Sequence, residues 1–311
     1  MKGIHIISTG SAVPETCYDN EKMSELVETS DEWIRTRTGI RSRHICKEES
    51  CVSLAVSAAG KAMERAGNPA NRIGAVIVAT STGDYSFPSV ACLVAKELGL
   101  GTDVMAFDLA AACSGFLYAM DVGRNFLLAH EDRYVLVIGA EQLSRIVDYT
   151  DRSTCILFGD GAGAALIEAA DTPYFHHSGC DGDAEVLSCK GVGQDEMYIH
   201  MKGNSVFKFA VSTLKESIDR ILREQKISMD EIDYVICHQA NARIIDHVKK
   251  KYPGQEKKFY MNLERYGNTS AASIPMVIDE LMELGELKEG MKIVCVGFGA
   301  GLTWGGTFLQ I

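Results

Sequence analysis

Arg72-Ile73-Gly74-Ala75-Val76-Ile77-Val78 has a counterpart in Glu231-Ile232-Asp233-Tyr234-Val235-Ile236-Cys237, 159 residues further on. A second pair, Tyr134-Val135-Leu136-Val137-Ile138-Gly139 and Lys292-Ile293-Val294-Cys295-Val296-Gly297, is offset by 158. Each is a dense apolar run without alternation, the pattern of a strand buried on both faces. Between the two strands of each half lies a small-residue turn ahead of a helical stretch. The turns are Ala110-Ala111-Ala112-Cys113-Ser114 and Asn268-Thr269-Ser270-Ala271-Ala272-Ser273. Helical spacing covers 52–65, 115–129, 206–224 and 274–284, and alternation of strand with helix implies α/β layering. Two strand matches and a turn, in order and in register, predict a duplicated α/β unit with a pseudo-two-fold axis. Its halves are 1–170 and 171–311, with the seam in the region 165–205.

Composition agrees with a packed chain. Of 311 residues, 46% are hydrophobic and 23% charged, which excludes disorder as the main state. No run approaches the roughly 18 apolar residues of a membrane span. The N-terminal Met1-Lys2-Gly3-Ile4-His5-Ile6-Ile7 reads as a first strand, too short in its apolar part for a signal-peptide core. A net charge of -11 speaks against nucleic-acid binding. Ten cysteines, none in a C-x-x-C pair, predict a reduced cytoplasmic protein whose cysteines are mostly small buried hydrophobes.

One cysteine stands apart. Cys113 follows the expected strand 104–109 and precedes a helix. A helix N-terminus favours the thiolate, and the small residues around it let a substrate approach. Lowering a thiol pKa by about 1.5 units takes roughly 2 kcal/mol. His238 follows the strand ending at Cys237, and Asn268 sits in Tyr266-Gly267-Asn268-Thr269-Ser270. A thiolate can carry an acyl group as a thioester. A neutral imidazole and a carboxamide can both donate hydrogen bonds to a carbonyl oxygen that becomes an enolate. The three together suit carbon–carbon bond formation on a thioester. A hydrolase triad would need an acid to orient the histidine. Gly159-Asp160-Gly161-Ala162-Gly163 and Gly297-Phe298-Gly299-Ala300-Gly301 lack the G-x-G-x-x-G spacing of a dinucleotide site.

Along nearly its whole length the chain resembles β-ketoacyl-acyl-carrier-protein synthase III. The resemblance rests on Thr29-Ser30-Asp31-Glu32-Trp33-Ile34, Thr36-Arg37-Thr38-Gly39-Ile40, residues 108–115, Phe158-Gly159-Asp160-Gly161-Ala162-Gly163-Ala164 and His238-Gln239-Ala240-Asn241. It continues through Gly267-Asn268-Thr269-Ser270-Ala271-Ala272-Ser273-Ile274-Pro275 and Phe298-Gly299-Ala300-Gly301-Leu302-Thr303-Trp304-Gly305.

The resemblance implies the thiolase-like, five-layer αβαβα fold. It also implies two half-reactions. Cys113 takes an acyl group from acyl-CoA. His238 and Asn268 then stabilise the enolate formed when malonyl-acyl-carrier-protein loses CO2, and the product starts fatty-acid synthesis. The backbone N–H groups of Cys113 and Ala300 would form the oxyanion hole; many relatives have glycine at the Ala300 position. No metal or redox cofactor is implied. Trp33 and Arg152 would hold the adenine of CoA, with Arg37, Gly203 and Asn241 on its phosphates or pantetheine. Phe87 would reach the acyl pocket across a homodimer interface. Lys208, Arg243, Lys250 and Lys251 would form a basic surface for an acidic carrier protein. Two other readings use the same fold: an acyltransferase or polyketide-priming enzyme with a different acceptor, and a non-catalytic binding partner.

Overall fold

A computed structural model describes residues 2–311. The N-terminal half runs β1 (Gly3–Ala12), β2 (Cys17–Asp19), α1 (Asn20–Leu26), α2 (Asp31–Thr38), β3 (Ser42–His44), α3 (Cys51–Arg65), β4 (Ile73–Ala79), α4 (Val90–Glu97), β5 (Met105–Leu109), α5 (Gly115–Leu127), β6 (Tyr134–Glu141), α6 (Arg152–Cys155) and β7 (Gly161–Ala170). The C-terminal half runs β8 (Tyr174–Cys180), β9 (Leu187–Cys189), β10 (Ile199–Met201), α7 (Gly203–Gln225), β11 (Tyr234–Cys237), α8 (Ala242–Lys249), α9 (Leu263–Tyr266), α10 (Ser273–Glu283), β12 (Lys292–Gly299) and β13 (Thr303–Gln310).

The two main sheets repeat one order. The first is β1-β7-β6-β4-β5 and the second, read from its far edge, is β8-β13-β12-β11. In both, a parallel pair (β4 with β6, β11 with β12) continues into antiparallel neighbours, and in the first sheet β4 also pairs in parallel with β5. β5 has no full counterpart. Its place beside β11 is marked by a single parallel bridge between Val235 and Phe259.

Alternate residues on each central strand enter different cores, as the two-residue period of a strand requires. Val76 and Val78 of β4 join Leu136 and Ile138 of β6 under α3 and α4. Ala75 and Ile77 face the other way, onto Phe116 and Met120 of α5, Ile274 and Val277 of α10, and Ile293 and Cys295 of β12. Val294 and Val296 of β12 then meet Leu214 and Ile218 of α7 and Ile244 and Val248 of α8. The layers are therefore α3/α4, sheet, α5/α10, sheet, α7/α8: the thiolase-like αβαβα arrangement.

One correction concerns cysteines. All ten are free, but Cys17, Cys92, Cys180 and Cys189 are exposed, so burial is not the general rule expected. Three of the four lie on short strands or a strand end outside the cores, and Cys92 is on the outer face of α4. Among the described residues no helix is long and apolar enough to cross a membrane.

The halves meet at unusually close range. A Cβ on Gly139 of β6 would lie 2.2 Å from the carbonyl oxygen of Ala271. Only glycine lets the turn before α10 seat against β6. Gly139→Ala should therefore cost about 2 kcal/mol or more, read as a fall in Tm of several degrees by calorimetry. Gly182→Ala, which meets nothing within 4 Å, is the matched control and should leave Tm unchanged.

Candidate active site

The two small-residue turns of the repeat face each other. Ala112–Ser114 is a 3-10 turn leading into α5, and Ser270–Ala272 is a 3-10 turn leading into α10. Ala112 and Ser270, 158 positions apart, hold the same left-handed conformation, with φ +44° and +49°. This region is costly for a residue with a side chain. Both helices thus start at one place, and their N-terminal peptide dipoles favour negative charge there.

Cys113 stands between two cavities. One, of about 420 Å³, is lined by Ser81, Thr82, Leu143, Ile146, Ser270 and Ala300 among others. The second, of about 460 Å³, brings together His238, Asn268 and Phe298 with Trp33, Arg37, Arg152, Gly203, Asn241 and Arg243. Cys113, Phe158 and Leu187 belong to both. The three chemistry-bearing residues proposed from the sequence therefore share one wall. All five residues that the resemblance assigned to CoA line the same space.

His238 is 1% exposed and has a defined hydrogen-bond direction. The Ser273 hydroxyl accepts from the backbone N–H of Gln239 at 3.3 Å and lies 2.7 Å from His238 Nδ1. Its own proton is free to donate to Nδ1, the arrangement that leaves Nε2 to carry the ring proton. The ring proton then sits on Nε2, a buried atom with no protein partner that faces the site. Burial pushes the imidazole pKa down to about 3, so the ring is neutral. Phe298 packs edge-on against it at 5.4 Å.

Asn268 is oriented in the same spirit. Its backbone bridges Leu157 and Gly159, and its Oδ1 accepts from the Ser270 N–H at 2.9 Å. The amide nitrogen is left as the donor. Two neutral N–H groups, from His238 and Asn268, are thus available at one cavity wall.

Ala300 is tied to the nucleophile's turn through Thr303. The Thr303 hydroxyl lies 3.0 Å from the carbonyl of Ala300, 3.2 Å from that of Ala111 and 2.8 Å from the Ser114 hydroxyl. A Cβ at Gly299 would sit 2.7 Å from the backbone nitrogen of Cys113, so glycine is required for this approach.

The thiol itself departs from expectation. Burial pushes Cys113 up to about 12, opposed by hydrogen bonding from Ser270 and reinforced by the charge of Glu141. Desolvation of the thiolate outweighs the favourable turn, so the residue rests as a thiol and needs help to ionise.

Trp33 and Arg37 ride on α2, whose Ser30 cap accepts from the Trp33 N–H. Asn241 caps α8 and donates to the Arg37 carbonyl at 3.0 Å, fixing α8 to α2 at the cavity mouth. The guanidinium of Arg152 rests on the Trp33 ring at 4.8 Å, and that of Arg37 at 4.9 Å. Lys208, Arg243, Lys250 and Lys251 are all exposed, and none has an ion-pair partner among the described residues. Phe87 is 85% exposed and does not line the cavities of its own chain. The sequence reading missed Ser273, Ser270, Thr303 and Glu141. The two serines and Thr303 lay within quoted motifs, but nothing in their spacing reveals which groups they orient.

Similarity to known proteins covers the whole chain. The family model described as 3-oxoacyl-[acyl-carrier-protein (ACP)] synthase III matches residues 107–183, and its C-terminal companion matches 222–311. The chain is 44% identical to β-ketoacyl-[acyl-carrier-protein] synthase III of Clostridium botulinum (strain 657), over 98% of both chains. It is 42% identical to that of Clostridium perfringens (strain ATCC 13124) over the full length of both. A crystal structure of 3-oxoacyl-[acyl-carrier-protein] synthase III from Aquifex aeolicus superposes with a TM-score of 0.94 at 41% identity, covering 99% of this chain and 100% of that one. Fold, turn geometry and these similarities together place the chain in the β-ketoacyl-acyl-carrier-protein synthase III family of condensing acyltransferases.

Proposed function

We propose that the chain joins an acyl group from acyl-CoA to a malonyl group on acyl carrier protein, with Cys113, His238 and Asn268 as catalytic residues. The observation that carries this reading is the pairing of an acylatable thiol with two neutral donors on one cavity wall.

In the first half-reaction CoA enters the cavity lined by Trp33, Arg37, Arg152, Gly203 and Asn241. The indole face and the guanidinium plane suit a purine. Arg152 now lies on Trp33 and moves aside to admit the base. Cys113 attacks the thioester carbon, and the oxyanion is held by the backbone N–H groups of Cys113 and Ala300. CoA leaves and the acyl chain occupies the 420 Å³ cavity.

In the second half-reaction the malonyl thioester oxygen meets His238 Nε2–H and the Asn268 amide. These donors stabilise the enolate as CO2 departs without adding a full charge. The enolate carbon then attacks the acyl group on Cys113. The chemistry uses two thioester substrates and no metal or redox cofactor.

The carrier protein docks on Lys208, Arg243, Lys250 and Lys251, a basic surface on a chain of net charge -11. Arg243 also lines the cavity mouth, which joins docking to entry. A second copy of the chain packs against the open edge of β5, where Met105, Tyr85 and Phe87 are exposed. Phe87 would then reach the partner's acyl cavity. Ten free thiols fit a reducing cytoplasm.

Intact-mass measurement with a panel of acyl-CoAs, followed by peptide mapping, should place the acyl group on Cys113; absence of label there sinks the assignment. His238→Ala and Asn268→Ala should each slow condensation by about 10²–10³-fold on enzyme already acylated, with acylation itself retained. Arg243→Glu should slow carrier-protein association and weaken its salt dependence. Unchanged carrier-protein kinetics would rule out the docking surface.

A further inference from the structure

Glu141 ends β6 with its side chain fully buried, and among the described residues no cation pairs with it. Its carboxylate accepts from four donors: the Ser81 N–H at 3.1 Å, and the hydroxyls of Thr82 at 2.5 Å, Thr80 at 3.4 Å and Ser270 at 3.0 Å. Ser270 approaches Oε1, while the other three converge on Oε2. A buried carboxyl without a counter-ion is costly and is retained where it has a task.

The surroundings are closed. Cys51, at the start of α3, contacts the Thr80 hydroxyl at 3.5 Å and is itself a thiol with a raised pKa. Arg145 and Asp84 pair with each other beyond Thr82 and Gly83. The remaining titratable group facing this network is Cys113, across Ser270. Cys113 and Glu141 disfavour each other's charge, and hydrogen bonding from Ser270 favours the thiolate. Burial pushes Glu141 up to about 7, against its four donors. His238 is unsuited to deprotonate the thiol, because burial pushes its pKa down to about 3 and its Nδ1 is engaged with the Ser273 hydroxyl.

We propose that Glu141 is the proton acceptor for Cys113, acting through the Ser270 hydroxyl. The proposal rests on Cys113 being the nucleophile. The thiol proton passes to Ser270 Oγ while the Ser270 proton passes to Glu141 Oε1. The sulfur bonds to the thioester carbon, the bond from that carbon to the CoA sulfur breaks, and CoA leaves as a thiolate that takes a proton from water. Glu141 returns its proton to water in the adjoining cavity before the next cycle. Glu141 touches no substrate and is a positioning residue with a proton-holding role. The Ser270 hydroxyl donates to Glu141 Oε1 at 3.0 Å and lines the same cavity as Cys113.

The test is the pH dependence of Cys113 alkylation by iodoacetamide, mapped by peptide mass, in the wild type, Glu141→Gln and Ser270→Ala. The carboxylate form dominates above its pKa, so the wild-type rate should climb to pH 7 and then level. Both variants should react about 10²-fold more slowly at pH 7. Their rates should keep rising about tenfold per pH unit through pH 9, since hydroxide must then do the work. Alkylation of both variants with the wild-type plateau overturns the relay, and Ser270→Ala decides the matter if Glu141→Gln does not fold. Acetyl-CoA and isobutyryl-CoA labelling, run in parallel, separates the two claims. An altered alkylation profile without acyl label on Cys113 sinks the nucleophile assignment and leaves the proton path standing.

Discussion

The approach of backbone to backbone between the two halves is the constraint on which the rest depends. Gly139 admits the carbonyl of Ala271, and Gly299 admits the nitrogen of Cys113, at distances where a methyl group has no room. These contacts press the starts of α5 and α10 together in the middle layer. Every catalytic group then falls within reach without a long loop to carry it. The nucleophile sits on one three-residue turn and Ser270 on the other, with Asn268 two residues before it and Glu141 at the end of β6. Such turns inherit the rigidity of the sheets behind them.

The site handles negative charge by arranging donors rather than cations. The thiolate, the tetrahedral oxyanion and the enolate appear in turn within a few ångströms of each other. A lysine there would favour all three, and would also hold the malonyl carboxylate that must depart. Neutral N–H groups favour developing oxyanions while leaving that carboxylate poorly solvated. Burial supports this division of labour. It keeps the His238 ring uncharged and leaves Cys113 protonated until a base intervenes.

Much of this was legible in the chain. The strands appeared as four apolar runs, and β11 was read at its full extent, 234–237. Offsets of 159 and 158 between the repeats announced the duplication. Trp33, Arg37, Arg152, Gly203 and Asn241 came from resemblance, and the fold gathers them at one cavity. Contacts between halves were out of reach. Ser273 is 35 residues from His238, and Ser270 is 129 from Glu141. No periodicity links such positions. The thiol's raised pKa was also hidden, because helix placement can be read from sequence and desolvation cannot. Cys92 shows the same limit: its helix was foreseeable, its outward face was not.

The matched turns are equivalent in backbone and different in side chain. Ala112 corresponds to Ser270, and Cys113 to Ala271. Two identical half-chains paired about a true dyad could never hold a thiol on one turn and a hydroxyl and amide on the other. Joining them in a single polypeptide breaks that symmetry. Each copy then keeps the geometry of the pair while its chemistry drifts independently, so one turn specialises in carrying a group and its twin in polarising the group that arrives. The covalent link between β7 and β8, remote from any substrate, is thus what permits an asymmetric reaction on a symmetric frame.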